Sequence, residues 1–150
     1  MITTYICKAF DIGINSNMFG GAIMSLIDDS AASFAAQLCD TPNLVTVKFD
    51  GLIFDKPIKS GSVLKVFGKV VRFGKSSVEL YIEVRKHNVY TGEQRLVTHT
   101  NVTMVRVDED GKSIPISDLA KERYYQRITT FGKALLSQEE LNKGIKISLS

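Results

Sequence analysis

The sequence predicts an α+β domain in which a large antiparallel sheet wraps one long helix, with a short helical appendage at its C-terminal end. Three observations predict it. Between Ala22 and Leu38 apolar residues recur near every 3.6 positions, at Ile23, Ile27, Ala31, Phe34, Ala35 and Leu38. After Leu44 the period changes to two in four successive runs. The segments between those runs carry Gly, Pro, Asn and Ser, which read as turns.

The elements follow in order. Thr3 to Phe10 is β-prone, and Asp11 to Gly21, rich in Asn, Gly and Ser, reads as a loop. The helix over 22–38 spans about 25 Å at 1.5 Å per residue, enough to cross five strands about 4.8 Å apart. Pro42 disfavours helical geometry at Thr41 and ends it. Leu44 to Phe54 sets Val45, Val47 and Phe49 against Thr46, Lys48 and Asp50. Val63 to Phe73 carries Leu64, Val66 and Val70 on one face, and Ser77 to His87 sets Val78, Leu80, Ile82 and Val84 against Glu79, Tyr81, Glu83 and Arg85. Arg95 to Val107 is the last run, and the intervening turns suggest an antiparallel meander. Ser117 to Arg127 and Ser137 to Lys143 are helical candidates, the second opened by a capping box at Ser137 to Glu140.

The 150 residues, 44% hydrophobic and 23% charged with two cysteines, match ordinary globular usage and exclude disorder, collagen and a disulfide-stapled miniprotein. A chain of this length supports one core, so a single domain over residues 1–150 is expected, with its core over about 1–115 and a tail over 116–150. The long apolar stretch from Phe19 to Cys39 contains Asp28 and Asp29, each costing about 2.5–3.5 kcal/mol at a bilayer midplane, so it is not a membrane span. Cys7 and Cys39 match no metal spacing, and Lys8 interrupts what would be a leader; a reducing cytoplasm is the expected compartment. A net charge of +3 does not argue for nucleic acid, but residues 44–96 carry ten bases and five acids, a surplus that suits an anionic ligand.

Two motif readings fail. Gly74-Lys75-Ser76 ends like a phosphate-binding loop, but position 69 is Lys69 where glycine is needed, and a strand follows in place of a helix. His87 and His99 lie on predicted strands with no Gly-x-Ser-x-Gly and no acid or cysteine cluster nearby, which removes serine-hydrolase and zinc readings.

The stretch from Asn15 to Asp28 holds the chemistry. It places Gly20 and Gly21 at a helix start and a carboxylate two turns inside an apolar helix. First-turn amides point outward with the positive end of the helix dipole behind them, where they can hold an oxyanion. Glycines there permit either close approach of a ligand's carbonyl or tight packing of helix on strand. A carboxylate can activate water or attack directly. Asp28 and Asp29 are separated by about 100° on the helix, so at most one of them shares the reactive face. Asp28 also lies seven residues beyond Gly21, about 10 Å along the axis, so both groups can meet one carbon only if they come from two chains.

These residues resemble the acyl-CoA thioesterases of the hot-dog fold, in the acyl-CoA hydrolase branch. The resemblance is carried by Asn17-Met18-Phe19-Gly20-Gly21-Ala22-Ile23-Met24-Ser25-Leu26-Ile27-Asp28, by Val47 to Ile58 with Gly61, and by Gly74-Lys75-Ser76-Ser77-Val78-Glu79-Leu80, and it covers about residues 8–115. It implies a helix wrapped in a five-stranded antiparallel sheet, dimers joined edge to edge, often as trimers of dimers, and sites between protomers. It implies Asp28 as the catalytic acid residue, amides at Gly20 and Gly21 for the thioester carbonyl, and the turn of Gly74, Lys75, Ser76 and Ser77 along the pantetheine arm. The coenzyme A phosphates would lie near bases such as Arg72, Lys75 and Arg85. Coenzyme A is then part of substrate and product, and no separate cofactor is expected. The family's asparagine, seven residues before the first glycine, is Gly13 here; Asn15 or Asn17 could take its place, with Asn15 preferred. A non-catalytic acyl-CoA or nucleotide-binding module is the alternative.

Overall fold

A computed structural model describes residues 1–131. Its elements are β1 (Thr3–Ile6), a 3-10 turn (Ala9–Asp11), α1 (Gly20–Cys39), β2 (Leu44–Phe49), β3 (Val63–Phe73), β4 (Ser77–His87), β5 (Gln94–Arg106) and α2 (Asp118–Phe131). The five strands form one antiparallel sheet in the order β1-β3-β4-β5-β2. Ile23, Ile27, Ala31, Ala35 and Leu38 of α1 bury against Leu64 and Val66, Leu80 and Ile82, and Val102 and Met104, so the sheet's concave face is closed by this one helix. Ala31 and Ala35 are fully buried, and their small side chains let the helix settle close to the strands.

The expected α+β class, the long helix and β3 and β4 stand as read. Other elements are corrected. The first strand stops at Ile6, because Asp11 turns the chain: its Oδ2 accepts the Lys8 backbone N–H at 2.8 Å and the Tyr5 hydroxyl at 2.8 Å. The helix starts at Gly20 and ends on Asp40, whose left-handed backbone (φ 54°) lets its N–H reach the Ala36 carbonyl. The run beginning at Leu44 is strand only to Phe49, and ahead of a bulge its inward phase is the reverse of the expected one, while Phe49, beyond the bulge, packs against the core. Register slips between Thr46 and Lys48, so Val47 forms a bulge; Val45 and Val47 face out, 44% and 56% exposed, while Thr46 faces the helix.

The order is a meander only for β3-β4-β5. Strand β2 pairs with β5 at one edge, and residues 50–62 carry the chain to β3, which stands second from the opposite edge. A connection of that length does not make a tight hairpin. The C-terminal candidate at Ser117 is α2, whereas the one over Ser137 to Lys143 lies outside the described residues. No helix among the described residues is long and apolar enough to cross a membrane.

Candidate active site

The start of α1 is built by the loop before it. Gly13 N–H donates to the Asn17 carbonyl at 2.8 Å, Met18 N–H to the Ile58 carbonyl and Phe19 N–H to the Asp11 carbonyl, each at 2.7 Å, which ties the loop to both the 3-10 turn and the β2–β3 connection. Phe19 is the N-cap in extended geometry and offers no side-chain hydrogen bond, so the first amides of the helix, at Gly20 and Gly21, are left without an intrahelical partner. The glycines have a packing reason as well. A Cβ on Gly21 would lie 2.5 Å from Phe19 Cε1, and one on Gly20 3.4 Å from Phe54 Cε2. Two aromatic rings, 63% and 45% exposed, therefore flank the amides.

Asp28 is half-buried on the side of α1 that faces β2. Thr46 Oγ1 donates to its Oδ1 at 2.7 Å, and no other hydrogen bond or ion pair reaches this carboxylate among the described residues. Asp29 is exposed and looks the other way, into a cavity of about 480 Å³ between α1 and β1 that Ser25, Ser33, Tyr5 and Phe10 also line. The two carboxylates thus serve different surfaces, as helical geometry requires. Thr46 was not legible as a site residue, because simple alternation assigns it to the solvent face and the bulge that turns it inward has no local signature.

Residues 15–93 match the thioesterase superfamily, a span from the loop before α1 through the β4–β5 turn. The chain is a member of the thioesterase superfamily. Its fold is the hot-dog fold that the resemblance implied. This thioesterase-superfamily chain is 34% identical over 112 residues to an uncharacterized acyl-CoA thioester hydrolase of Bacillus subtilis, a match covering 75% of this chain and 64% of that protein, so the chain spans a little under two-thirds of that relative. It resembles a solved hexameric broad-specificity acyl-coenzyme A thioesterase in an aspartate-to-alanine variant, with a TM-score of 0.77, 29% identity, and coverage of 86% of this chain and 96% of that one. It also resembles the acyl-CoA hydrolase of Staphylococcus aureus, solved with coenzyme A as an asparagine-to-alanine variant (TM-score 0.71, 28% identity, 85% of this chain and 81% of that one). Another variant of the Staphylococcus enzyme replaces an aspartate fifteen residues further along than that asparagine.

In this superfamily member the Gly74 to Ser77 turn is held by the chain's C-terminal segment. Gly74 N–H donates to Ser77 O at 2.8 Å, Arg106 N–H to Ser76 O at 2.8 Å and Ile116 N–H to Lys75 O at 2.9 Å, while Lys121 Nζ donates to Gly74 O at 2.9 Å. Lys75 is exposed. Arg72 is also exposed, but its Nε sits 2.6 Å from Glu79 Oε2, so its charge is shared with a neighbouring strand. The structure does not bring Arg85 to this turn. Arg85 is 1% exposed, bonded through Nε to Glu83 Oε1 at 2.5 Å and through Nη1 to Gln94 Oε1 at 3.1 Å, with its guanidinium 3.8 Å from the Phe67 ring centre. A buried, paired cation is held in place by its partner and cannot reach a ligand's phosphates. Asn15 is exposed at the tip of the loop, and Asn17 is half-buried beside Gly13. Among the described residues no group of three His, Cys, Asp or Glu residues is placed to hold a metal ion.

Proposed function

We propose that this chain hydrolyses acyl-CoA thioesters to a free acid and coenzyme A, and does so as a homo-oligomer. The observation that carries the reading is Asp28: a carboxylate on the inner side of an apolar helix, aimed by Thr46 toward the β2 edge and otherwise unengaged among the described residues. Asp28 stands about 10 Å up the helix from the Gly20 and Gly21 amides, whereas groups acting on one carbon must come within about 3 Å. The carboxylate of one protomer therefore serves the helix start of another. Two features support the joint: among the described residues β2 pairs only with β5 and its other edge is open, and Val45 and Val47 are exposed on it. A trimer of such dimers is the assembly proposed, in keeping with the hexameric neighbour.

In the reaction the amides at Gly20 and Gly21 bond the thioester carbonyl oxygen and stabilise the negative charge that develops on it. Asp28 acts in one of two ways. It takes a proton from water as the water attacks the carbonyl carbon, or it attacks that carbon itself and water opens the resulting anhydride. Either way the carbon–sulfur bond breaks and coenzyme A leaves as the thiol. The Gly74 to Ser77 turn receives the pantetheine arm, with Lys75 and Arg72 near the phosphates. No separate cofactor takes part. Cytoplasm is the proposed compartment, supported by the buried, unpaired thiols of Cys7 and Cys39.

A panel of acyl-CoA thioesters of increasing chain length, assayed for free thiol, tests the reading. Turnover with at least one thioester is expected; binding of acyl-CoA with no thiol released from any member would leave a binding module in its place.

A further inference from the structure

The loop before α1 is a tight hairpin whose closing pair differs on its two sides. Gly13 N–H donates to the Asn17 carbonyl at 2.8 Å, Ser16 N–H donates back to the Gly13 carbonyl at 3.2 Å, and Ile12 and Met18 bridge as antiparallel partners just outside. Ser16 sits in the left-handed region at φ 58°, which closes the turn over residues 14–16. Residues 13 and 17 are therefore cross-strand partners, and such partners project their side chains from one face.

Position 13 contributes no side chain to that face, although there is room: a Cβ on Gly13 would meet nothing closer than 3.7 Å. Asn17 contributes a carboxamide. Its Oδ1 is buried with no hydrogen-bond partner, and its Nδ2 makes no hydrogen bond among the described residues. Native structures seldom leave a buried polar atom unpaired, and one that stays so calls for an explanation. This one lies three residues before Gly20, where the unpaired helix amides begin. Asn15, by contrast, is exposed at the turn. The fifteen-residue spacing between the two residues varied in the Staphylococcus enzyme, counted back from Asp28, falls on Gly13.

We propose that Asn17 supplies from across the hairpin the side-chain amide that Gly13 lacks, donating through Nδ2 to the thioester carbonyl beside the helix-start amides. The proposal rests on the hydrolase reading above. It makes Asn17, and not Asn15, the third donor to the developing oxyanion, with an Nδ2 that no hydrogen bond among the described residues of its own chain occupies.

The test compares kcat and KM for one acyl-CoA among the wild type, Asn17→Ala, Asn17→Asp, Asn15→Ala, Gly13→Asn and the double variant Gly13→Asn with Asn17→Ala. Removing an oxyanion donor costs roughly 10²- to 10³-fold in kcat. Asn17→Ala should fall by about that factor with KM little changed, and Asn15→Ala should stay within about twofold. Asn17→Asp keeps the side chain's shape without the donor, so it should fall similarly and controls for loss of packing, with melting temperatures measured alongside. Gly13→Asn should recover at least about tenfold in the Asn17→Ala background and gain little in the wild type, since two donors would then compete for one oxygen. An Asn17→Ala enzyme with wild-type kcat overturns the proposal, as does a Gly13→Asn gain of equal size in both backgrounds. A wild type that releases no thiol from any thioester overturns the hydrolase reading itself, which separates the two failures.

Discussion

Thr46 on the edge strand β2 donates to Asp28 on the central helix at 2.7 Å, and among the described residues this is the only polar bond that holds the carboxylate in place. Asp28→Asn should lower kcat by at least ~10²-fold, the scale of acid–base catalysis, with the fold intact. Thr46→Val keeps the shape and frees the carboxylate, so a smaller loss of roughly tenfold or less is expected, mostly in kcat. Asp29→Asn should change little, because Asp29 opens onto the opposite cavity. A dead Asp29→Asn enzyme beside an active Asp28→Asn enzyme would assign the reaction to the other face of α1.

Shared sites predict complementation. Gly21→Ala drives a methyl into the Phe19 ring beside the helix-start amides and should cost at least about tenfold in turnover. Refolding it together with Asp28→Asn should restore activity toward half of wild type per dimer, since one of the two composite sites carries both defects and the other carries neither. Mass spectrometry establishes that chains have exchanged, and circular dichroism that Gly21→Ala is folded. Mixed dimers without recovery would place both groups on one chain.

The cations of the middle segment divide into two kinds. Lys75→Glu should raise KM for acyl-CoA severalfold at low salt, and the effect should fade as salt screens exposed charge. An acyl-pantetheine lacking the nucleotide should show neither change. Arg85→Ala should act on stability, because it strands Glu83 without its buried partner; breaking such a pair costs roughly 3–5 kcal/mol, readable as a lower urea midpoint.

Stability should decline in alkali from a definite pH. Burial pushes the Cys39 thiol from its ordinary 9.0 up to about 11. The unfolded chain releases this proton near pH 9 while the folded chain keeps it, so the contribution is complete below about pH 9 and is lost as pH rises toward 11. Cys7, also raised by burial, acts in the same direction, and Tyr81, raised by burial and by Glu83, adds to the loss above pH 10. Urea midpoints at pH 7, 9, 10 and 11 should fall in that order, and Cys39→Ala should make the decline between 9 and 11 shallower. An unchanged slope in that variant would show that the thiol does not carry it.

Much of this molecule was legible in its residues. The helix and the four strands after it follow from periodicity, and the paired glycines marked the helix start; periodicity allowed only one of Asp28 and Asp29 on the reactive face, and the resemblance pointed to Asp28. The family followed from the motifs in the same segments. Apart from the end of β1, which Asp11 sets, the misreadings have one main cause: local patterns say which residues make a strand, not which strand lies beside it. The meander reading joined β2 to β3 because they are consecutive, whereas β2 stands beside β5 at the far edge.

The sequence by itself determined the α+β class, the apolar stripe that buries α1, and the separation of Asp28 from Gly21 that no single helix can close, because these depend on the fixed geometry of one segment. Only the tertiary structure decided the rest. Pairing with β5 places a bulge at Val47, which turns Thr46 toward Asp28 and leaves Val45 outside. Packing of Phe67 and Gln94 around Arg85 removes a charge that alternation had assigned to the surface. The hairpin from Gly13 to Asn17 sets a glycine and an asparagine opposite each other. Each of these outcomes comes from contacts between strands or across a turn, where one residue's slip in register reverses which side chains face the helix, and that register is set by the partner strand and not by the segment's own pattern.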